Sequence, residues 1–372
     1  MIRLTRPTLG ASELDAVRRV LASGHLVQGP TVAAFEVALS ERLGVPHVVA
    51  CSTGTTAIQL ALLGLGLKAG DEVIVPDFVF PSVSAAVLMT GAMPVVCDID
   101  PDTFNMNPAL VQAAVTEYTQ AVVAVHQFGV PCDALAIADA TLLPVIEDAA
   151  CALGARDRGG LCGTQTGLGC FSFHPRKIIT TGEGGAVAVH DKGIADRLRH
   201  LRQHGMRPGP QGGMEFPEFG VAGRMSDLHA AIGLAQLERL DEIIAGRARA
   251  AALYRGLLTL DDRVLTGPST WHPGRVYQGM VVRLADEYDR DVVVAGLRAL
   301  GVESTIGTYS ISSHPGLLKA IEVVKGGVPG SKLAARQSLT LPLWPEMTEG
   351  DVDSVVAALA QTLPEARRLG VG

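Results

Sequence analysis

Residues 47–76 read HVVACSTGTTAIQLALLGLGLKAGDEVIVP. The run HVVACS (47–52) is short and apolar with no polar alternation, the pattern of a strand buried on both faces. TGTTAIQLALLGLG (53–66) then carries helical spacing, and DEVIVP (71–76) returns to a strand. Strand, helix and strand in such short compass form the unit from which parallel sheets are built.

The alternation continues outward from this stretch. PSVSAAVLMTG reads as a helix, PVVCDID (94–100) as a strand and NPALVQAAV (107–115) as a helix. QAVVAVH (120–126) and PVIEDAA (144–150) read as further strands. The prediction is an α/β fold with a mostly parallel sheet covered on both faces. Upstream, SELDAVRRVLAS (12–23) predicts a helix capped by Ser12, and GPTVAAFEVALSERLG predicts a second one.

After residue 190 the pattern changes. DKGIADRLRHLRQHG predicts a helix with a basic solvent face. MRPGPQGGMEFPEFGVAG (206–223), rich in Gly and Pro, predicts a loop. MSDLHAAIGLAQLERLDEIIAGRARAAALYRGLL (225–258) predicts one long helix leading into a second domain. The rest offers a strand (VYQGMVVRL, 276–284), a helix (RDVVVAGLRALG) and a last helix after Thr348. We divide the chain into a large domain, 1–245, and a small α+β domain, 246–372.

The 372 residues exceed what one ordinary core accommodates. Hydrophobic residues make up 48%, and the mean hydropathy is +0.28. The net charge of -7 comes with no run of five basic residues, so nucleic acid is not an expected partner. Cys51, Cys97, Cys132, Cys151, Cys162 and Cys170 form no C-x-x-C pair and sit mostly in apolar runs. They read as free thiols in a reducing compartment, with no disulfide and no metal site. No apolar leader opens the sequence, and apolar runs stop well short of a ~20-residue membrane span. The expected location is cytoplasmic, with no membrane partner.

Three motifs carry chemistry. In CSTGTTAI (51–58), Ser52, Thr53, Gly54 and Thr55 stand where a strand gives way to a helix. Free amides there bind phosphate, although an ordinary helix cap reads the same way. No G-K-[ST] follows, and GLGLKAG (64–70) does not match G-x-G-x-x-G, so neither a Walker nor a dinucleotide site is supported. In VIEDAACALGA (145–155), Glu147 and Asp148 end an apolar strand, where open α/β sheets bind ligands. The competing reading is a solvated strand end. In GCFSFHPRKIITTGEGGAV (169–187), Lys177 stands between a strand, with Ser172 as its polar outlet, and the glycines of GEGG. Such a lysine is commonly a solvated charge. A helix-start anion site, a buried-strand aspartate and a lysine beside glycines are together the parts needed to hold pyridoxal phosphate.

These motifs occur in an order that resembles the DegT/DnrJ/StrS family of sugar aminotransferases. The likeness runs through SGHLVQGPTVAAFE (23–36), STGTTAIQLAL, GDEVIVPDFVF, GAMPVVCDIDPDTFNM, VIEDAA, FSFHPRKIITTGEGGAV, RMSDLHAAIGLAQLERLDEI and LTLPLWPEMTEGDVDSVV, nearly the whole chain. It implies the type I fold of aspartate aminotransferase, with a mostly parallel seven-stranded sheet flanked by helices and a small α+β C-terminal domain. It implies pyridoxal 5'-phosphate as cofactor, held by Lys177 as a Schiff base, with Asp148 on the pyridine nitrogen and Phe80 stacked on the ring. Ser172, Thr53, Gly54 and Thr55 would hold the phosphate. It also implies a homodimer with the active site at the subunit interface.

Two positions depart from the family pattern. Cys151 stands where the family has a glutamine near the cofactor's phenolic oxygen. Ala222 replaces the asparagine of G-x-N-x-R-M, whose side chain reaches the neighbouring subunit's phosphate. Arg224 matches, and either meets a substrate carboxylate or braces its loop. His174, Tyr309 and His314 are further candidates for substrate contact, whereas His126 and His229 also fit structural roles. The expected reaction moves an amino group from an amino acid, glutamate by preference, to a nucleotide-linked keto-sugar. Alternatives are a cyclitol or other non-sugar ketone, a non-transaminating enzyme of the same fold, and a non-catalytic cofactor-binding regulator. A dehydratase of the family would carry histidine in place of Lys177.

Overall fold

A computed structural model describes residues 1–266 and 269–368. Its main sheet is built from β1 (His47–Cys51), β2 (Glu72–Pro76), β3 (Met93–Cys97), β4 (Thr119–Val125), β5 (Val145–Asp148), β6 (Leu168–Ser172) and β7 (Gly185–Val189). The spatial order is β1-β7-β6-β5-β4-β2-β3. Only β7 runs against the others in this sheet. The C-terminal ends of β1, β2, β5 and β6 therefore share one edge, and that geometry decides where the site lies.

Helices cover both faces, as the apolar strands require. On one side lie α1 (Ala11–Ser23) and α2 (Pro30–Leu43); on the other lies α3 (Gly54–Leu65). Phe35 of α2 meets Phe173 edge-on, with ring centroids 5.4 Å apart, and both rings are fully buried. Removing either ring would cost about 3–5 kcal/mol. Beneath α3, Leu60, Ala61 and Leu62 pack with Val187 and Leu198. A separate core surrounds Trp344, Tyr254 and Leu297 in the C-terminal part.

That part holds a four-stranded antiparallel sheet. Its strands are β8 (Val264–Leu265), β9 (Met280–Leu284), β10 (Thr305–Ile306) and β12 (Ser338–Leu341), in the order β8-β9-β12-β10. The chain's first residues join it: Ile2 bridges Val302, and Leu4 O accepts from Leu343 N at 3.0 Å. Among the described residues no helix is long and apolar enough to cross a membrane.

Several expectations change. The main sheet gains an eighth, two-residue strand, β11 (Glu322–Val323), parallel to β3. Its two residues carry no periodicity, so only the open edge of β3 recruits them. Ser12 does not cap α1. Gly10 takes that position, and Glu13 reaches back to Gly10 N at 2.7 Å. The loop 206–223 contains a short hairpin, Arg207–Pro208 against Met214–Glu215. The helical run 225–258 breaks at Arg239 into Asp227–Glu238 and Leu240–Leu258; the 245/246 division falls inside the second. The break turns Leu240 and Ile243 into the core, a tertiary demand that local propensity does not encode. The strand of 276–284 begins only at Met280.

Candidate active site

The helix start after β1 is shaped for an anion. Thr53 caps α3, its Oγ1 accepting from Thr56 N at 3.0 Å. Among the described residues, the amides of Gly54 and Thr55 have no backbone acceptor, as expected for the first turn of a helix. Across the cradle lies Ser172. Register puts Cys51 and Ser172 on either side of Gly185. A Cβ on Gly54 would lie 2.7 Å from Ser172 Cβ, and one on Gly185 would lie 2.3 Å from Thr53 O. Both glycines are needed for this close approach. Ser52 N donates to Gly223 O at 2.9 Å, which ties the 220–225 segment to the same place.

Strand β5 delivers two carboxylates to opposite sides, because side chains alternate along a strand. Glu147 is fully buried and accepts from five groups: Gly163 N, Gln165 N, Thr166 N, Thr166 Oγ1 and His126 Nε2, at 2.6–3.2 Å. Burial pushes its pKa up, but these donors outweigh that and hold it below the usual glutamate value. His126 Nδ1 accepts from Cys132 N at 2.9 Å, so the proton of the neutral ring is on Nε2, facing Glu147. His126 and Glu147, both fully buried, thus shape the loop at 163–166.

Asp148 faces the other way with one hydrogen-bond donor, Ala150 N, at 3.0 Å. Burial pushes its pKa up, and Ala150 N and the charge of Lys177 only partly oppose this. Lys177 leaves β6 on a tight turn in which its amide donates to His174 O at 2.8 Å. Phe173 is buried as the anchor of that turn, with Thr180 Oγ1 and Thr181 N donating to its carbonyl. Gly182 sits at φ +84, and a Cβ on Gly184 would lie 2.3 Å from Thr181 Oγ1. Gly182 and Gly184 therefore serve the turn's own geometry, and Gly185 serves the cradle. Lys177 Nζ donates to Cys151 Sγ at 3.2 Å. Burial works against its ammonium, but Cys151 and Asp148 outweigh burial and hold its pKa above the usual lysine value.

A third side of the site is aromatic. Phe80 is 61% exposed and lies 6.1 Å from the Tyr309 ring, which lies 5.5 Å from the His314 ring. The segment bearing Tyr309 is fastened by Asp77, which accepts from Ser310 Oγ at 2.6 Å and Ser312 N at 2.8 Å. Sequence reasoning passed over Asp77. The same signal that marked Asp148, an acidic residue closing an apolar strand, is present in VIVPDF.

The structure thus brings Thr53, Gly54, Thr55 and Ser172 together, groups Asp148, Cys151 and Lys177, and aligns Phe80, Tyr309 and His314. The His174 ring accepts from Arg176 N at 3.2 Å, and burial lowers its pKa. Among the described residues, the Arg224 side chain has no hydrogen-bond partner, while Met225 beside it is buried. Ala222 is exposed on a bridge to Gln203. Cys151 is half-buried, and the other five thiols are buried.

This set fits pyridoxal phosphate: an anion cradle without room for a Cβ, a buried carboxylate short of donors, an amine and an exposed aromatic face. Comparison with known proteins agrees. The profile of the DegT/DnrJ/EryC1/StrS aminotransferase family matches residues 7–360. GDP-perosamine synthase of Caulobacter vibrioides is 38% identical over 369 residues, covering 97% of this chain and 98% of that protein. The aminotransferase TlmJ from Streptoalloteichus hindustanus superposes with a TM-score of 0.90 at 34% identity, over 98% of this chain and 99% of that one. DesV of S. venezuelae superposes with a TM-score of 0.85 at 32% identity, over 96% and 95% of the two chains.

Proposed function

This chain belongs to the DegT/DnrJ/EryC1/StrS aminotransferase family, and from that premise we propose that it moves an amino group from glutamate to a nucleotide-linked keto-sugar. The enzyme is an aminotransferase of the pyridoxal-phosphate-dependent type. The observation that carries the reading is the convergence of Lys177, Asp148 and the α3 helix start on one sheet edge. The name of the relative GDP-perosamine synthase makes a GDP-linked sugar the first acceptor to try.

Bound pyridoxal phosphate supplies an electron sink for the carbon that loses a proton. The amides of Gly54 and Thr55, with Thr53 and Ser172, would hold its phosphate, aided by the helix dipole. Asp148 would keep the ring nitrogen protonated, and a nearby cation relieves the cost of burying that carboxylate. Phe80 would cover one face of the ring. Lys177 Nζ would be the attachment point for the cofactor and, once released, would serve as the base that takes the donor's α-proton and as the acid that gives it back on the far side of the transferred nitrogen. Cys151 would stand near the ring's oxygen. Tyr309, His314, His174 and Arg224 are candidates for holding the acceptor. A homodimer with the active site at its interface would cover the exposed Phe80, while Ala222 would offer the neighbouring subunit's phosphate no side-chain donor; the reaction would take place in the cytoplasm.

The test is spectroscopic. The purified protein with pyridoxal phosphate is expected to show a visible band that glutamate bleaches and a GDP-linked keto-sugar restores. No band change with any common amino donor rejects the reading. A cyclitol ketone that restores the band better than every nucleotide sugar moves the acceptor to the non-sugar class.

A further inference from the structure

Lys177 and Cys151 form a pair. Lys177 Nζ lies 3.2 Å from Cys151 Sγ, and among the described residues this is the amine's one hydrogen bond. Cys151 is also the one thiol of six that is not buried. Burial pushes the thiols of Cys51 and Cys97 up to about 12, and those of Cys132 and Cys170 up as well. Peroxides react with accessible thiols, through the thiolate. The single thiol open to an oxidant is therefore already in contact with the amine that would condense with its product.

We propose that Cys151 and Lys177 form a peroxide-driven sulfur–nitrogen link that takes the lysine out of use. The Cys151 sulfur attacks the O–O bond of a peroxide, gives up two electrons and becomes a sulfenic acid while water departs. Once the Lys177 ammonium has given up its extra proton to the departing oxygen, the neutral amine attacks that sulfur. The S–O bond breaks, an S–N bond forms, and a second water leaves with one amine proton. Thiol, amine and peroxide become a sulfenamide and two waters, within the reversible rungs of cysteine oxidation. Two equivalents of an external thiol reverse the step, returning both side chains and a disulfide. The glutamine expected at position 151 could not do this chemistry. The link needs only the geometry of the pair; its consequence for cofactor loading rests on the role proposed for Lys177.

The experiment treats the full chain, stripped of cofactor, with hydrogen peroxide and reads intact mass and digested peptides. The expected result is a loss of about two mass units, one peptide joining Cys151 to Lys177, and reversal by dithiothreitol. The link should be absent from Cys151→Ser and Lys177→Arg. Oxidation that climbs to the sulfinic acid without a joined peptide overturns the proposal, as does a mass loss that survives in Lys177→Arg. Pyridoxal phosphate added before peroxide is expected to block the link. A link that forms equally with and without pyridoxal phosphate upholds the cross-link but rejects Lys177 as the cofactor's attachment point.

Discussion

Glu147 and Asp148 are adjacent acidic residues on one strand, and they live in opposite conditions. Glu147 accepts five hydrogen bonds and is held below its usual pKa. Asp148 accepts one and is held above it by burial. A fully satisfied buried carboxylate serves the fold, since every partner was recruited to stabilise its charge. One left short of partners costs stability and is worth keeping only if something else completes it. The alternation of strand side chains is what lets one dipeptide do both.

The sharpest way to break this comparison is to remove the group that Asp148 faces. Lys177→Ala is expected to lower turnover by at least about 10³-fold and to abolish the visible band, leaving urea unfolding nearly unchanged. A large stability loss would place Lys177 with Glu147 on the structural side. Next in size is Glu147→Gln, expected to cost about 3 kcal/mol in urea titrations, because the amide cannot accept from all five donors. The sign with pH follows from the lowered pKa. The stability from Glu147 is present above the usual glutamate value and is lost as pH falls through its lower folded value. The variant should therefore lose less stability on acidification than the parent.

Asp148→Asn reverses both readouts. Turnover should fall about 10²-fold, while stability at neutral pH holds or rises. The raised pKa means that the ionised form weighs on the folded chain, and acidification through that value relieves it. Stability curves for Glu147→Gln and Asp148→Asn that move together would end the distinction. Phe80→Ala, on the exposed side of the site, should raise the pyridoxal phosphate needed for half-loading about tenfold, roughly the loss of one aromatic stacking contact. The smallest effect concerns Cys151→Gln. Cys151 helps hold the Lys177 pKa up against burial, so the pH at which cofactor loading is half-maximal should move down. An unmoved profile would detach Cys151 from the lysine.

Much of this site could be read from residue order. The anion cradle and Asp148 sit at a strand's C-terminal end and Lys177 follows one, and β-strand signals at 47–52, 144–150 and 170–173 point there. Asp77 carries the same strand-end signal, but nothing in its own neighbourhood reveals Ser310 and Ser312 more than 200 residues away. The same limit explains β11 and the break at Arg239: both answer to distant surfaces.

The sequence by itself determined the alternating elements, and so which residues close each strand, because side-chain periodicity and capping are local. Apart from the family resemblance, it left Glu147 and Asp148 indistinguishable. Only the tertiary structure decided that one turns into the loop at 163–166 and the other towards Lys177. It alone set Cys151 against the lysine amine. Those outcomes depend on which strands lie side by side, a choice made by packing across the whole sheet rather than by any stretch of chain.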